Sequence, residues 1–270
     1  MTAAFRKAFR ESRRLNLWVS IGLALYSLFV LSIYPTIYEQ QADFNQLLEN
    51  YPPELMSMMG VNADEVVNIA DPGFFLQLYI VTWSMLILGV LVTMQAFNAI
   101  TNAERNGTLD MMLSYPIPRR DYLLARMANT AATILIAWTV ITALILGTAA
   151  VMPEFEVDTV NLILAMYSAF FLLMTQAGIA YVLAALVPSS RRWAGAVALT
   201  IFIGSYLIFG FASNSVAVAN IRGLLMFNYY NAGDIINNGI DLGNLLVLGG
   251  AGAIMAIIAY WRIDHKDLAV

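Results

Sequence analysis

The sequence predicts an all-α membrane protein that crosses the bilayer six times, and three observations carry that prediction. Of the 270 residues, 60% are hydrophobic and 12% charged, with a mean hydropathy of +0.70. Soluble domains hold about 45–50% apolar and about 25% charged residues. The apolar residues fall into six continuous runs, at 15–34, 74–100, 127–152, 160–187, 193–212 and 242–261. Thirteen of the fourteen basic residues then fall on one side of a six-span arrangement.

Each run reaches the roughly 20 residues that cross about 30 Å of hydrocarbon at about 1.5 Å per residue. A β-barrel strand would be a run of about ten alternating residues. These runs are continuous, and a helix satisfies its own backbone hydrogen bonds in lipid. The first run follows a basic flank, but it exceeds a secretory h-region and no A-x-A-like site follows Tyr34, so it reads as a retained anchor.

Orientation follows from Lys and Arg. Arg6, Lys7, Arg10, Arg13 and Arg14 precede span 1. Arg105, Arg119, Arg120 and Arg126 lie between spans 2 and 3, Arg191 and Arg192 between spans 4 and 5, and Arg262 and Lys266 after span 6. Only Arg222 falls on the other side. The positive-inside rule therefore places both termini in the cytoplasm of a multi-pass protein of the cell membrane. Twelve acids, from Glu39 to Asp241, fall outside. They keep the outer loops soluble, or attract a cationic substrate. Trp18, Trp193 and Trp261 stand near the cytoplasmic ends of spans, where amphipathic rings settle in the headgroup layer. The whole chain, 1–270, reads as a single membrane domain.

Residues 2–14 read as an amphipathic helix. Phe5, Ala8 and Phe9 share a face, and the five cations fill the rest. Such a helix lies in the membrane surface against lipid headgroups; the plainer alternative is a basic, orienting tail. Between spans 2 and 3, Gly107 and the pair Pro116 and Pro118 punctuate a short helical stretch. Leu109, Met112 and Leu113 give that stretch an apolar face at i, i+3, i+4. The face needs a partner, and flexible Met suits an adaptable docking surface; otherwise the helix packs on its own bundle. Asp121 is expected to cap the helix that continues into span 3.

These residues carry a resemblance. Glu104-x-x-Gly107-Thr108-Leu109, a short helix, then Pro116-x-x-Arg119-x-x-Tyr122 and Arg126 opening the next span resemble the permease subunits of type-2 ATP-binding-cassette (ABC) exporters. So do the basic first helix, the outer loop at 51–60, and the outer segment before span 6 with Leu225, Met226, Phe227, Asn228, Tyr229 and Tyr230. Where that family often has Ser or Thr before the first arginine, this chain has Pro118. The resemblance implies that region 104–121 carries a coupling helix docking a separate ATPase. Its residues would be Glu104, Gly107, Thr108, Leu109, Met112, Leu113, Pro116, Arg119 and Arg120. It further implies two ATPase copies holding ATP and Mg, a second permease copy or a paralogous chain, the cytoplasmic membrane of a prokaryote, and no nucleic acid. ATP-driven closure would push the coupling helix and reorient spans 2 and 5.

What is missing points the same way. Neither lysine, Lys7 or Lys266, sits in a G-x-x-x-x-G-K-[ST] phosphate loop. No span carries a mid-membrane ionisable residue of the kind ion-coupled transporters use, which disfavours a secondary transporter. The chain has no cysteine and one histidine, His265 near the C-terminus. No catalytic, metal or cofactor constellation is expected on this chain. A pump without an engine implies an engine on another chain. A subunit that transmits ATPase motion to an extracytoplasmic partner, moving no substrate, shares the same motif and stays open.

Polar residues in the spans are modest. Gln95, Asn98 and Asn102 fall at i, i+3, i+7 near the cytoplasmic end of span 2. They form interhelical hydrogen bonds, or line a polar vestibule at a dimer axis, as span 2 does in the family resembled. Thr175, Gln176 and Gly178 in span 4, and Gly249, Gly250 and Gly252 in span 6, are expected at close helix contacts.

Overall fold

The computed structural model describes residues 2–49, 51–52, 68–105, 118–188, 193–212 and 220–265. Six helices among them are long and apolar enough to cross a membrane, and no strand occurs among the described residues. In chain order the helices are α1 (Thr2–Glu39), α2 (Gln41–Glu49), α3 (Pro72–Arg105), α4 (Arg119–Ala149), α5 (Thr159–Leu186), α6 (Trp193–Ala212), α7 (Ala232–Asn238) and α8 (Leu242–Arg262). The six long ones match the six apolar runs. The starts of α1 and α4 and the ends of α3 and α8 share one end of the bundle, the basic end, where Glu11 pairs with Arg126, Tyr122 bonds Ala99 O and Arg120 pairs with Asp264. The opposite ends of these helices share the other, acidic end.

Residues 2–14 do not form a helix of their own. α1 is one unbroken 38-residue helix. The change at Leu15 from charged to apolar is compositional, and nothing there breaks a helix: Gly22 is the first glycine and Pro35 the only proline. Ala8, Asn16, Ser20, Leu23, Ser27, Leu31 and Tyr34 form its buried stripe. The small members let α4 come close, as small residues do between membrane helices. Ser12 Oγ donates to Asn129 Oδ1 at 3.0 Å and Asn16 Nδ2 to Thr133 Oγ1 at 2.8 Å. Both pairs are 117 residues apart, so α1 and α4 run parallel.

α5 sits at the centre, against α3, α4, α6 and α8. Asp158 caps it, accepting from the backbone N–H of Val160 and Asn161 at 2.8 and 2.9 Å. α8 lies along α5 on small residues. Thr175 Oγ1 donates to Leu248 O at 2.8 Å, a Cβ on Gly252 would sit 3.2 Å from Thr175 Oγ1, and one on Gly178 would sit 2.7 Å from Met255 Cβ. Gly249 is held against Phe171 in the same way. Gly250 is not: nothing lies within 4 Å of the place its Cβ would take, because it falls off the contacting face.

Two further expectations are corrected or sharpened. Asp121 does not cap α4. The N-cap is Pro118, in extended conformation with ψ 139°, and the helix begins at once after it. Asp121 lies in the first turn, where a carboxylate favours the helix dipole. The segment before α8 is a pair of 3₁₀ turns, Arg222–Leu224 and Met226–Tyr229, followed by α7. It folds inward over the acidic end of the bundle. Leu225, Met226, Phe227, Tyr230, Ile235 and Ile236 are buried. The Tyr230 hydroxyl donates to Ala165 O at 3.0 Å, and its burial raises the phenol pKa above the ordinary value.

At the same end Tyr34, with no exposed surface, donates to Ala70 O at 2.7 Å. Its ring meets Phe75 and Phe155 edge-on at 4.9 and 4.8 Å between centroids. Aromatic pairs of this geometry contribute about 0.5–1.5 kcal/mol beyond the area they bury. α1, α3 and the α4–α5 link are thereby joined.

Candidate functional site at the basic end of the bundle

α3 is irregular in two places. Leu76–Val81 and Asn98–Asn102 are wide π turns, while the 16 residues between them, Thr82–Phe97, are regular α-helix. Such turns collect at functional sites. The first is filled from within and from outside. Thr82 Oγ1 donates to Gln77 O at 2.7 Å, and Gln77 Oε1 accepts the backbone N–H of Ala232 at 2.7 Å. The second is met by α4. The buried Tyr122 donates its hydroxyl to Ala99 O at 2.7 Å, within the wide turn.

Tyr122 is itself held. Arg126 Nε donates to the Tyr122 hydroxyl at 3.2 Å, and Arg126 Nη2 pairs with Glu11 Oε2 of α1 at 2.7 Å. One turn further, Thr130 and Tyr181 of α5 share a hydrogen bond at 2.9 Å. Both flanks of the 106–117 link are therefore tied to each other, to α1 and to α5. Glu104 is buried on the last turn of α3. Arg119 and Arg120 open α4. Arg120 Nε pairs with Asp264 Oδ2 at 2.5 Å, and its guanidinium lies 4.9 Å above the Tyr260 ring, which ties α4 to the end of α8. The remaining residues of the expected docking helix, Gly107, Thr108, Leu109, Met112, Leu113 and Pro116, lie outside the described residues.

The three polar residues of span 2 divide. Gln95 is half-buried and turned inward, where Nε2 donates to Asn16 Oδ1 at 3.1 Å and to Thr133 Oγ1 at 3.2 Å. It closes a polar cluster with Ser12, Asn16 and Asn129 between α1, α3 and α4. Asn98 is exposed, and its Oδ1 accepts from Asn102 Nδ2 across the wide turn. Asn98 continues an outward face that includes Trp83, Ile87 and Met94. Among the described residues no group of three His, Cys, Asp or Glu side chains could hold a metal ion.

Compared with protein families, residues 2–268 match the one described as ABC-2 family transporter protein, which is nearly the whole chain. The chain belongs to the ABC-2 transporter family. It is a multi-pass membrane protein and a permease subunit of an ABC transporter, and membership implies partnership with an ABC ATPase subunit. Among curated proteins no match is found. In this ABC-2 permease, Tyr122 and Arg126 were visible in the sequence as the end of the loop motif. Their partners, Ala99 O and Glu11, were not. Asn16, Asn129 and Thr133 carried no signal beyond being polar residues near span ends.

Proposed function

We propose that this permease forms the translocation pathway of an ATP-driven exporter, paired with a second copy or a paralogous chain, and docks a separate ATPase through the 104–121 loop. The basic end of the bundle faces the cytoplasm in this reading. Thirteen of fourteen basic residues support that placement. So do the exposed rings of Trp18, Trp193 and Trp261, all toward that end.

The observation that carries the reading is the pinned base of the loop. A push on a slack loop would be dissipated. Here the wide turn that precedes the loop is gripped by Tyr122 at Ala99 O, and Arg126 joins the same point to α1. Movement of the loop is therefore passed to α1, α3 and α4 together. The outward face of α3, with exposed Asn98 at its basic end, suits a surface covered by a second chain or by the pathway. Asn98 shares one bond with Asn102, and leaving the rest of its amide to hydrocarbon is costly.

Docking rests on the apolar face Leu109, Met112 and Leu113. Burying one such side chain at an interface is worth about 1.5–3 kcal/mol. The exposed pair Arg120–Asp264 is worth about 0–1 kcal/mol and is made within the chain. Leu113→Asp should release the ATPase from the co-purified complex while the permease particle keeps its size. Arg120→Ala should leave ATPase binding within about threefold. Full binding and transport by Leu113→Asp, with loss of both in Arg120→Ala, would overturn the apolar docking.

A further inference from the structure

α1 is too long for the membrane. Its 38 residues span about 57 Å at about 1.5 Å per residue. The hydrocarbon core is about 30 Å thick and the whole bilayer about 40–45 Å. The apolar run 15–34 accounts for the hydrocarbon, so residues 35–39 extend beyond it on one side and the larger excess, residues 2–14, stands beyond it on the basic side. The headgroup layer takes up about 5–8 Å of that excess. Arg13 and Arg14 lie within this layer and Arg10 at its limit. Lys7 and Arg6 stand about 12–14 Å below Leu15 by the same rise.

The excess cannot lie flat, because α4 holds it upright. Ser12 and Asn16 are bonded to Asn129 and Thr133, Glu11 to Arg126, and Ala8 is buried. The constant offset of 117 brings Arg119, the first residue of α4, level with Thr2. The two helices make a short parallel stalk, and α4 begins at its tip, just after Pro118. Arg6, Lys7, Arg10, Arg13 and Arg14 are all exposed, on the side turned away from α4. Glu11, the one acid among them, is engaged by Arg126. No described residue neutralises the five cations. Headgroup attraction in physiological salt decays over about 8 Å, so it is full at Arg13 and Arg14 and falls off toward Lys7 and Arg6, about 4–9 Å beyond the headgroup layer.

We propose that Arg6, Lys7 and Arg10 form a second docking surface for the ATPase subunit, which meets them with an acidic patch, while Arg13 and Arg14 face lipid headgroups. This rests on the reading that a separate ATPase docks at the 104–121 loop. A partner seated under that loop lies beside the stalk tip, where the distal cations are.

The test uses the full-length permease in nanodiscs, of zwitterionic lipid alone or with added anionic lipid, and the ATPase subunit that co-purifies with the wild-type protein. Binding is measured over a range of salt. In zwitterionic discs R6E/K7E/R10E should weaken ATPase binding about tenfold or more, mostly in the association rate, and flatten the salt dependence. R13E/R14E should change it by less than about twofold. R6Q/K7Q/R10Q, which puts no new charge on the stalk, should give an intermediate loss. The proposal is overturned if both distal triples bind like wild type in zwitterionic discs, or if their loss occurs only with anionic lipid, which would make the whole face a lipid contact. In either case the loop-docking reading stands, because wild type still binds. If no ATPase co-purifies with wild type, both readings fall together.

Discussion

Gly89 offers the sharpest test of how α3 and α6 are packed. A Cβ at Gly89 would lie 2.0 Å from Phe202 Cε1 and 2.2 Å from Cζ. Ordinary contact begins at 3.4 Å, so Gly89→Ala requires a displacement of about 1.4 Å. The ring cannot swing away freely. Phe202 is fully buried, and Phe227 packs on it at 5.4 Å between centroids and on Tyr206 at 5.3 Å. Overpacking of this kind costs about 1–3 kcal/mol. Alanine also gains about 1 kcal/mol of helix propensity over glycine. Gly22→Ala, where nothing lies within 4 Å, serves as the reference for that gain. Gly89→Ala should therefore be about 1–3 kcal/mol less stable than Gly22→Ala. In detergent, followed by tryptophan fluorescence, that difference lowers the unfolding midpoint by roughly 2–4 °C per kcal/mol. Adding Phe202→Leu should restore part of the loss, since the two positions share one space. Equal midpoints for Gly89→Ala and Gly22→Ala would refute the argument.

Two other expectations are simpler. Gln176 has no exposed surface, and its Nε2 donates to Thr93 Oγ1 at 2.8 Å and to Ala198 O at 3.0 Å, joining α5 to α3 and α6. Interhelical bonds in membranes average about 0.6 and reach about 1.7 kcal/mol, so Gln176→Leu should cost about 1–2 kcal/mol in the same unfolding assay, and a neutral result would argue against the bridge. Cysteines introduced at Asn50 and Ser114 should react with impermeant thiol reagents from outside and from inside the cell respectively; reversed labelling would invert the orientation.

The spans were legible because lipid allows so few solutions: a run of about twenty apolar residues must be helical, whatever its neighbours. The apolar run 160–187 lies within one residue of the helix Thr159–Leu186 at each end. The continuity of α1 was hidden, because charged residues form helices as well as apolar ones and hydropathy records only the solvent change at Leu15. The start of α4 was misplaced because a capping residue was sought where a proline had already set the boundary. The wide turns of α3 left no trace. A π turn changes register, not composition, so nothing in the sequence marks Gln77, whose Oε1 accepts the backbone N–H of Ala232. Gln95 and Asn98 looked equivalent by spacing alone, and only the position of α4 turns one inward and leaves the other outside.

Each wide turn of α3 holds a residue more than the α-helical repeat needs. Tightening such a turn rotates the chain beyond it by about 100°, the angle per residue of a regular helix. With one surplus at either end, the register of Thr82–Phe97 is offset from that of both its mountings. The mounting at one end is Gln77 against Ala232, and at the other Ala99 against Tyr122. What sets the segment's angle between them is then three side contacts: Gly89 on Phe202, Thr93 on Gln176, and Gln95 on Asn16 and Thr133. α3 is in this sense a shaft keyed to α6, α5, α1 and α4 between two offset mountings.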